Sequence, residues 1–331
     1  MYIEESNFSL WCDFVERDFL QTGLKELIDT NIVNGATSNP AIFKNAFLTS
    51  PAYKEDISKL KGKSPKEIYE TLAIKDIQIA ADLLRTSYDS GDDGFISIEV
   101  DPALCDDANA TIEEGKRLFA TINRPNVMIK IPATKAGYQA MQELLTSGIN
   151  VNATLIFSPQ QAKNCLKAFQ QANANLDNKQ KLPQAVISIF VSRFDRKMDS
   201  VFKQKNIQTG LLGIYNATRI YHDIINSKLP NVRTLFASTG VKGDDLPKAY
   251  YMTELLYENS INTAPLDTID AFIQTKIKES KTPVEITKID QFFDDLKDND
   301  INLEKIYDEL LAEGLSAFKE AFKEILNTLK G

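Results

Sequence analysis

One lysine interrupts an otherwise apolar run in Asn126-Val127-Met128-Ile129-Lys130-Ile131-Pro132-Ala133-Thr134. Strand alternation sends Val127, Ile129 and Ile131 to one face and Met128 and Lys130 to the other. Burying an ammonium among apolar neighbours is costly, so solubility does not explain this position. A free lysine titrates at about 10.4, which leaves roughly one amine in a few thousand neutral at pH 7. Desolvation or a cationic neighbour lowers that value and frees a nucleophile able to attack a carbonyl. The plainer reading is a structural lysine with a buried stem and a head paired to a carboxylate. Polar residues elsewhere in the chain favour the chemical one.

The same alternation can be applied to other apolar runs. In Phe95-Ile96-Ser97-Ile98-Glu99-Val100, the stripe Ile96, Ile98 and Val100 leaves Ser97 and Glu99 on the opposite face. In Ile149-Asn150-Val151-Asn152-Ala153-Thr154-Leu155-Ile156-Phe157, Val151, Ala153 and Leu155 leave Asn152 and Thr154. In Ala185-Val186-Ile187-Ser188-Ile189-Phe190-Val191, the aliphatic stripe leaves Ser188 and Phe190. Asp13 and Asn39 come at the ends of two earlier runs, Phe8 to Phe14 and Ile32 to Ser38.

If the aliphatic faces meet helices, these polar groups converge on one axis around an amine. Making and breaking an imine moves protons at every step, which a carboxylate can carry directly or through water. Amides and hydroxyls can orient substrate hydroxyls without adding charge. Each residue also has a modest reading: Glu99 could neutralise Lys130, Asn39 could cap a turn before Pro40, and Ser188 could be packing. Arg193 follows the Ser188 run, and Ser238-Thr239-Gly240-Val241-Lys242 follows a later one. Small residues, a glycine and a cation after late strands suit a phosphate, although Arg193 could instead pair with Asp195.

Eight strand-like runs can be read, the last two being Thr234 to Ser238 and Ser260 to Ala264. Helical patterns separate them, including Ser64 to Tyr88 and Pro159 to about Gln171, and a polar connection spans Ala172 to Lys181. Strict alternation implies an α/β fold with a parallel sheet, and eight units suggest a (β/α)8 TIM barrel. An open doubly wound sheet is disfavoured because no G-x-G-x-x-G follows an early strand. Residues 1–331 read as a single barrel domain, with 277–331 a helical C-terminal extension packed on the outside. Its apolar residues recur at helical spacing from Leu303 to Leu329, as one helix or as a pair broken at Gly314.

Composition narrows the function classes. A net charge of -8 argues against nucleic acid or an anionic membrane as the main partner, while leaving room for a local basic pocket. No apolar run approaches a membrane span, and the acidic start Met1-Tyr2-Ile3-Glu4-Glu5 does not resemble a signal peptide, so a cytoplasmic location is expected. Cys12, Cys105 and Cys165 are odd in number and widely spaced, which suggests a reducing compartment and offers no metal spacing. The one histidine, His222, reads as helix interior. No metal or cofactor is called for, and nothing marks a pyridoxal phosphate site. Monomer and homodimer are both compatible with the sequence.

The ordered motifs resemble the transaldolase family. They are Leu10-Trp11-Cys12-Asp13, Gly35-Ala36-Thr37-Ser38-Asn39-Pro40, Ser97-Ile98-Glu99-Val100-Asp101-Pro102 and Ile129-Lys130-Ile131-Pro132-Ala133-Thr134, followed by four more. Those four are Asn150 to Leu155, Ser188 to Arg193, Ala237 to Gly240 and Ile261 to Pro265. The resemblance covers nearly the whole barrel and is closest to the longer bacterial forms. It implies transfer of a dihydroxyacetone unit from sedoheptulose 7-phosphate to glyceraldehyde 3-phosphate, giving erythrose 4-phosphate and fructose 6-phosphate. It further implies that Lys130 forms the imine and Asp13 takes the hydroxyl proton during carbon–carbon cleavage. Glu99, with Thr154 and a held water, would dehydrate the carbinolamine. Asn39 and Asn152 would bind the dihydroxyacetone part, Ser188 and Phe190 line the pocket, and Arg193 and Ser238 take phosphate. Many relatives carry a second arginine just after that serine; here Lys242 is the available substitute. A class I aldolase that releases the three-carbon unit, or a non-catalytic sugar-phosphate-binding barrel, are the alternatives.

Overall fold

Eight parallel strands close in chain order: β1 (Ser9–Cys12), β2 (Gly35–Thr37), β3 (Phe95–Glu99), β4 (Val127–Pro132), β5 (Asn150–Ile156), β6 (Ala185–Phe190), β7 (Val232–Ala237) and β8 (Ser260–Ala264). β8 pairs back onto β1, so no edge is left open. This computed structural model describes residues 2–176 and 181–330. The longer helices are α1 (Pro40–Thr49), α2 (Pro65–Leu83), α3 (Ala108–Ile122), α4 (Lys135–Thr146), α5 (Pro159–Asn175), α6 (Ser192–Gln204), α7 (Leu212–Ser227), α8 (Leu266–Gln274), α9 (Ile286–Asp298) and α10 (Leu303–Thr328). The result is the (β/α)8 TIM barrel expected from the alternation of elements, with extra C-terminal helices.

Local chemistry turns three of the strands, β2, β4 and β5, sharply into the helices that follow them. Asn39, Thr134 and Ser158 accept from the backbone N–H groups of Ile42, Gly137 and Gln161, capping α1, α4 and α5. Proline at the first position of α1 and α5 fixes the entry. Ile129 faces outward, its Cγ2 lying 3.3 Å from where a Cβ on Gly115 of α3 would stand. Lys130 therefore faces the axis.

The structure refines the sequence reading at three places. α5 continues to Asn175, into the stretch expected to be a connection; residues 177–180 of that stretch lie outside the described residues. In β5 the register shifts between Ala153 and Ile156, and Leu155 adopts φ 56°. This bulge ends strict alternation just past Thr154 and turns the Leu155 side chain toward α10. Gly314 does not break the C-terminal helix, which runs 26 residues through it. A Cβ there would lie 2.9 Å from Leu155 Cδ2 and 3.3 Å from Arg193 Nη1, so the glycine permits a close approach.

α10 packs along α1 and α2 outside the barrel, and it also reaches the strand ends at β5. Lys197 pairs with Glu309 and Glu313 at 2.8 and 2.7 Å, and Lys44 pairs with Glu324 at 2.8 Å, fixing α10 at both ends. His222 lies within α7 with Nε2 3.1 Å from the Val284 carbonyl, a structural position. At the opposite end of the barrel Arg233 pairs with Asp93, which also accepts from Trp11 Nε1.

Candidate active site

Strand register places Glu99 beside Lys130 and Lys130 beside Asn152, on three neighbouring strands. Lys130 is buried, and its Nζ donates to the Ser38 carbonyl at 3.1 Å and lies 3.9 Å from Glu99 Oε2. Its neighbours within reach are thus oxygens, not a second cation. Both Glu99 carboxyl oxygens and the Thr154 hydroxyl are buried without a hydrogen-bond partner among the described residues. Burial pushes the Glu99 carboxyl up to about 7, with Asp13 adding to the rise and Lys130 opposing it. A carboxyl in that range can hold or release a proton at neutral pH.

Asp13 stands just past β1, raised by burial and held down by Lys130 and by Thr37. Thr37 Oγ1 donates to Asp13 Oδ1 at 2.6 Å, and the Thr263 hydroxyl lies 2.7 Å from Thr37. With its one proton committed to Asp13, Thr37 must accept from Thr263, so two hydroxyls brace this carboxylate. Asn39 spends its Oδ1 on the α1 cap at 3.0 Å, which leaves its NH2 for the pocket. Asn152 is fully buried, accepting from Ser188 at 2.6 Å and donating to Ser97 at 3.0 Å.

The far pole of the pocket is cationic. Arg193 stacks on Phe190 and Phe157, with centroids 5.0 and 5.9 Å away. It does not pair with Asp195, and among the described residues it has no hydrogen bond or ion pair. Burial, and then the charge of Arg196, push this guanidinium down to about 10. Ser238 sits at φ 55°, its hydroxyl 3.2 Å from that of Ser192, so backbone strain is held next to Arg193. A cavity of about 200 Å³ joins the two poles, touching Asp13, Lys130, Arg193, Ser238 and Lys242. A larger cavity, about 580 Å³, lies between the start of α2 and the end of α10 and includes none of these residues.

Comparison with known proteins decides the family. The family model described as Transaldolase/Fructose-6-phosphate aldolase matches residues 10–329. The chain belongs to this family. A transaldolase of Campylobacter jejuni subsp. jejuni is 51% identical, over 98% of this chain and 99% of its own. One from Helicobacter pylori is 47% identical, over 97% of this chain and 99% of its own.

In this transaldolase-family barrel the expected residues fall into two tiers. Asp13, Asn39, Lys130, Ser188, Phe190, Arg193, Ser238 and Lys242 line the cavity. Glu99, Asn152 and Thr154 lie outside that lining: Glu99 reaches it through Lys130, and Asn152 through Ser188. Sequence reasoning gave no role to Thr37, Thr263, Arg196 or Phe318, which also line the cavity. Thr37 and Thr263 lay inside quoted motifs, and Arg196 follows Arg193 at i+3, on one helical face. Phe318 carried no signal, because only the path of α10 brings it there.

Proposed function

We propose that this chain is a transaldolase working through an imine on Lys130. The observation that carries the reading is a buried amine 3.9 Å from a carboxyl that has no hydrogen-bond partner among the described residues, near a cavity with arginine at its far pole. The ketose phosphate enters with its carbonyl at Lys130 and its phosphate toward Arg193, Ser238 and Lys242. Lys130 Nζ adds to the carbonyl carbon; Glu99, with Thr154 and a water, passes protons so that the carbinolamine loses water. Asp13, braced by Thr37, then takes the proton of the substrate hydroxyl beyond the bond that breaks. The aldose leaves as erythrose 4-phosphate, and the three-carbon enamine stays on Lys130. Glyceraldehyde 3-phosphate accepts it, Asp13 returns the proton, and hydrolysis of the imine releases fructose 6-phosphate. Asn39 and Asn152 are assigned to the dihydroxyacetone part, Asn152 through the Ser188 hydroxyl it holds, and Phe190 to the wall.

The continuous core from Tyr2 to Leu329 supports one working unit for the whole chain. Three free, buried thiols and phosphorylated substrates support a cytoplasmic location. Borohydride reduction with fructose 6-phosphate, followed by peptide mapping, tests the imine. An adduct on Lys130 is expected; an adduct elsewhere, or none, overturns the reading. Supplying donor with and without erythrose 4-phosphate separates transfer from simple aldol cleavage, because a transferase turns over only with the acceptor.

A further inference from the structure

We infer that Arg196 is a second phosphate-binding guanidinium, supplying on α6 what the loop after β7 lacks. Arg193 and Arg196 fall in the first turns of α6, three residues apart, and both line the cavity that contains Lys130. Lys242 lines it from the other side, where the loop offers glycine and lysine but no arginine. Among the described residues neither Arg196 nor Lys242 has a hydrogen bond or ion pair. Neighbouring cations are by contrast engaged: Lys197 by Glu309 and Glu313, and Lys203 by Asp245. In a chain of net charge -8, three unpaired cations around one cavity fit a dianion better than any internal partner.

The structure also distinguishes this role from a plain structural one. Arg196 and Lys242 border a neighbouring cavity with Asp195, Asp199 and Asp245. Those acids are engaged in part elsewhere: Asp195 Oδ1 accepts from the Gly213 N–H while its Oδ2 has no hydrogen-bond partner among the described residues, Asp199 accepts from the Gly210 N–H, and Asp245 pairs with Lys203. Arg196 stands close enough to Arg193 for its charge to help lower that guanidinium. A guanidinium offers a planar fork that a lysine cannot, so Lys242 alone would give a point charge without orientation.

This inference rests on the phosphate pole assigned under the proposed function, and its test separates the two. Calorimetric titration with inorganic phosphate, which needs no imine, should give about tenfold weaker binding in Arg196→Gln, with partial recovery in Arg196→Lys. Trapping on Lys130 is then compared between fructose 6-phosphate and dihydroxyacetone, which has no phosphate. The preference for the phosphorylated ketose should shrink about tenfold in Arg196→Gln. Phosphate affinity unchanged from the parent, or an equal loss for both ketoses, overturns the role of Arg196. Absence of any Lys130 adduct in the unaltered enzyme would overturn the imine reading, while the phosphate titration would still decide on Arg196.

Discussion

Replacing Glu99 with glutamine removes the proton carrier while keeping nearly the same shape. Proton transfer by a positioned side chain contributes about 10²- to 10⁴-fold, equivalent to about 3 to 5 kcal/mol of barrier. The structure sets where on the pH axis this acts, because the Glu99 carboxyl is pushed up to about 7. About half of the free enzyme is therefore ionised at pH 7, and about one tenth a unit lower. The measurement is quenched borohydride trapping with fructose 6-phosphate, giving the rate of imine formation on Lys130 from pH 5.5 to 8. The parent enzyme should show an acidic limb in kcat/KM with a midpoint near about 7. Glu99→Gln should lose that limb and form the adduct 10²- to 10⁴-fold more slowly, though still on Lys130. A parallel stability effect has a fixed sign. Folding raises this carboxyl above its usual range, so the folded state binds the proton more tightly and stability falls from about pH 4.5 to about 7. Glu99→Gln removes that fall. A variant that traps substrate at the parent rate, or keeps the limb near pH 7, would refute the assignment.

Lys130→Arg should fold with an unchanged circular dichroism spectrum and yield no reducible adduct, since a guanidinium stays protonated; turnover above background in a clean preparation would contradict it. Lys242→Ala should raise KM for phosphorylated substrates more than it lowers kcat, and an unchanged KM would remove Lys242 from the site. Asp195, buried in the first turn of α6 and pushed up to about 7, should cost the fold about 2 kcal/mol as pH rises from 5.5 to 8, because up to about pH 7 the folded state still holds a proton that the unfolded chain has lost. The fall in urea midpoint across that range should shrink by that amount in Asp195→Asn, whose carbonyl can still accept from Gly213, the remainder being due to Glu99; an unaltered slope would show that Asp195 is not responsible. Gly314→Ala would set a Cβ 2.9 Å from Leu155 Cδ2 and 3.3 Å from Arg193 Nη1, so about 1 to 3 kcal/mol of overpacking is expected, read as a lower Tm, with a raised KM for phosphorylated substrate. A lower Tm at unchanged KM would mean that α10 does not help to seat Arg193.

What the sequence made legible is what strand periodicity encodes. A residue two places along a strand returns to the same face, so Ser97, Glu99, Asn152, Ser188 and Lys130 could be assigned to one interior without knowing any long-range contact. Strict alternation stops at Leu155, where the backbone turns left-handed and the register shifts, although its side chain still meets a helix. It is also silent about residues whose partners come from afar. Asp13 is braced by Thr37, 24 residues on, which is in turn held by Thr263, 226 residues beyond Thr37, and no local pattern predicts such a relay. The same holds for α10. Its apolar stripe told of a buried face, but the face has two neighbours: the outer helices and, at Gly314 and Phe318, the mouth of the pocket. A glycine within a helix is ordinarily a weak point, costing about 1 kcal/mol against alanine. Here the space of the missing methyl is taken by Leu155 and Arg193, so a residue that weakens the helix also lets it close on the cationic pole of the cavity.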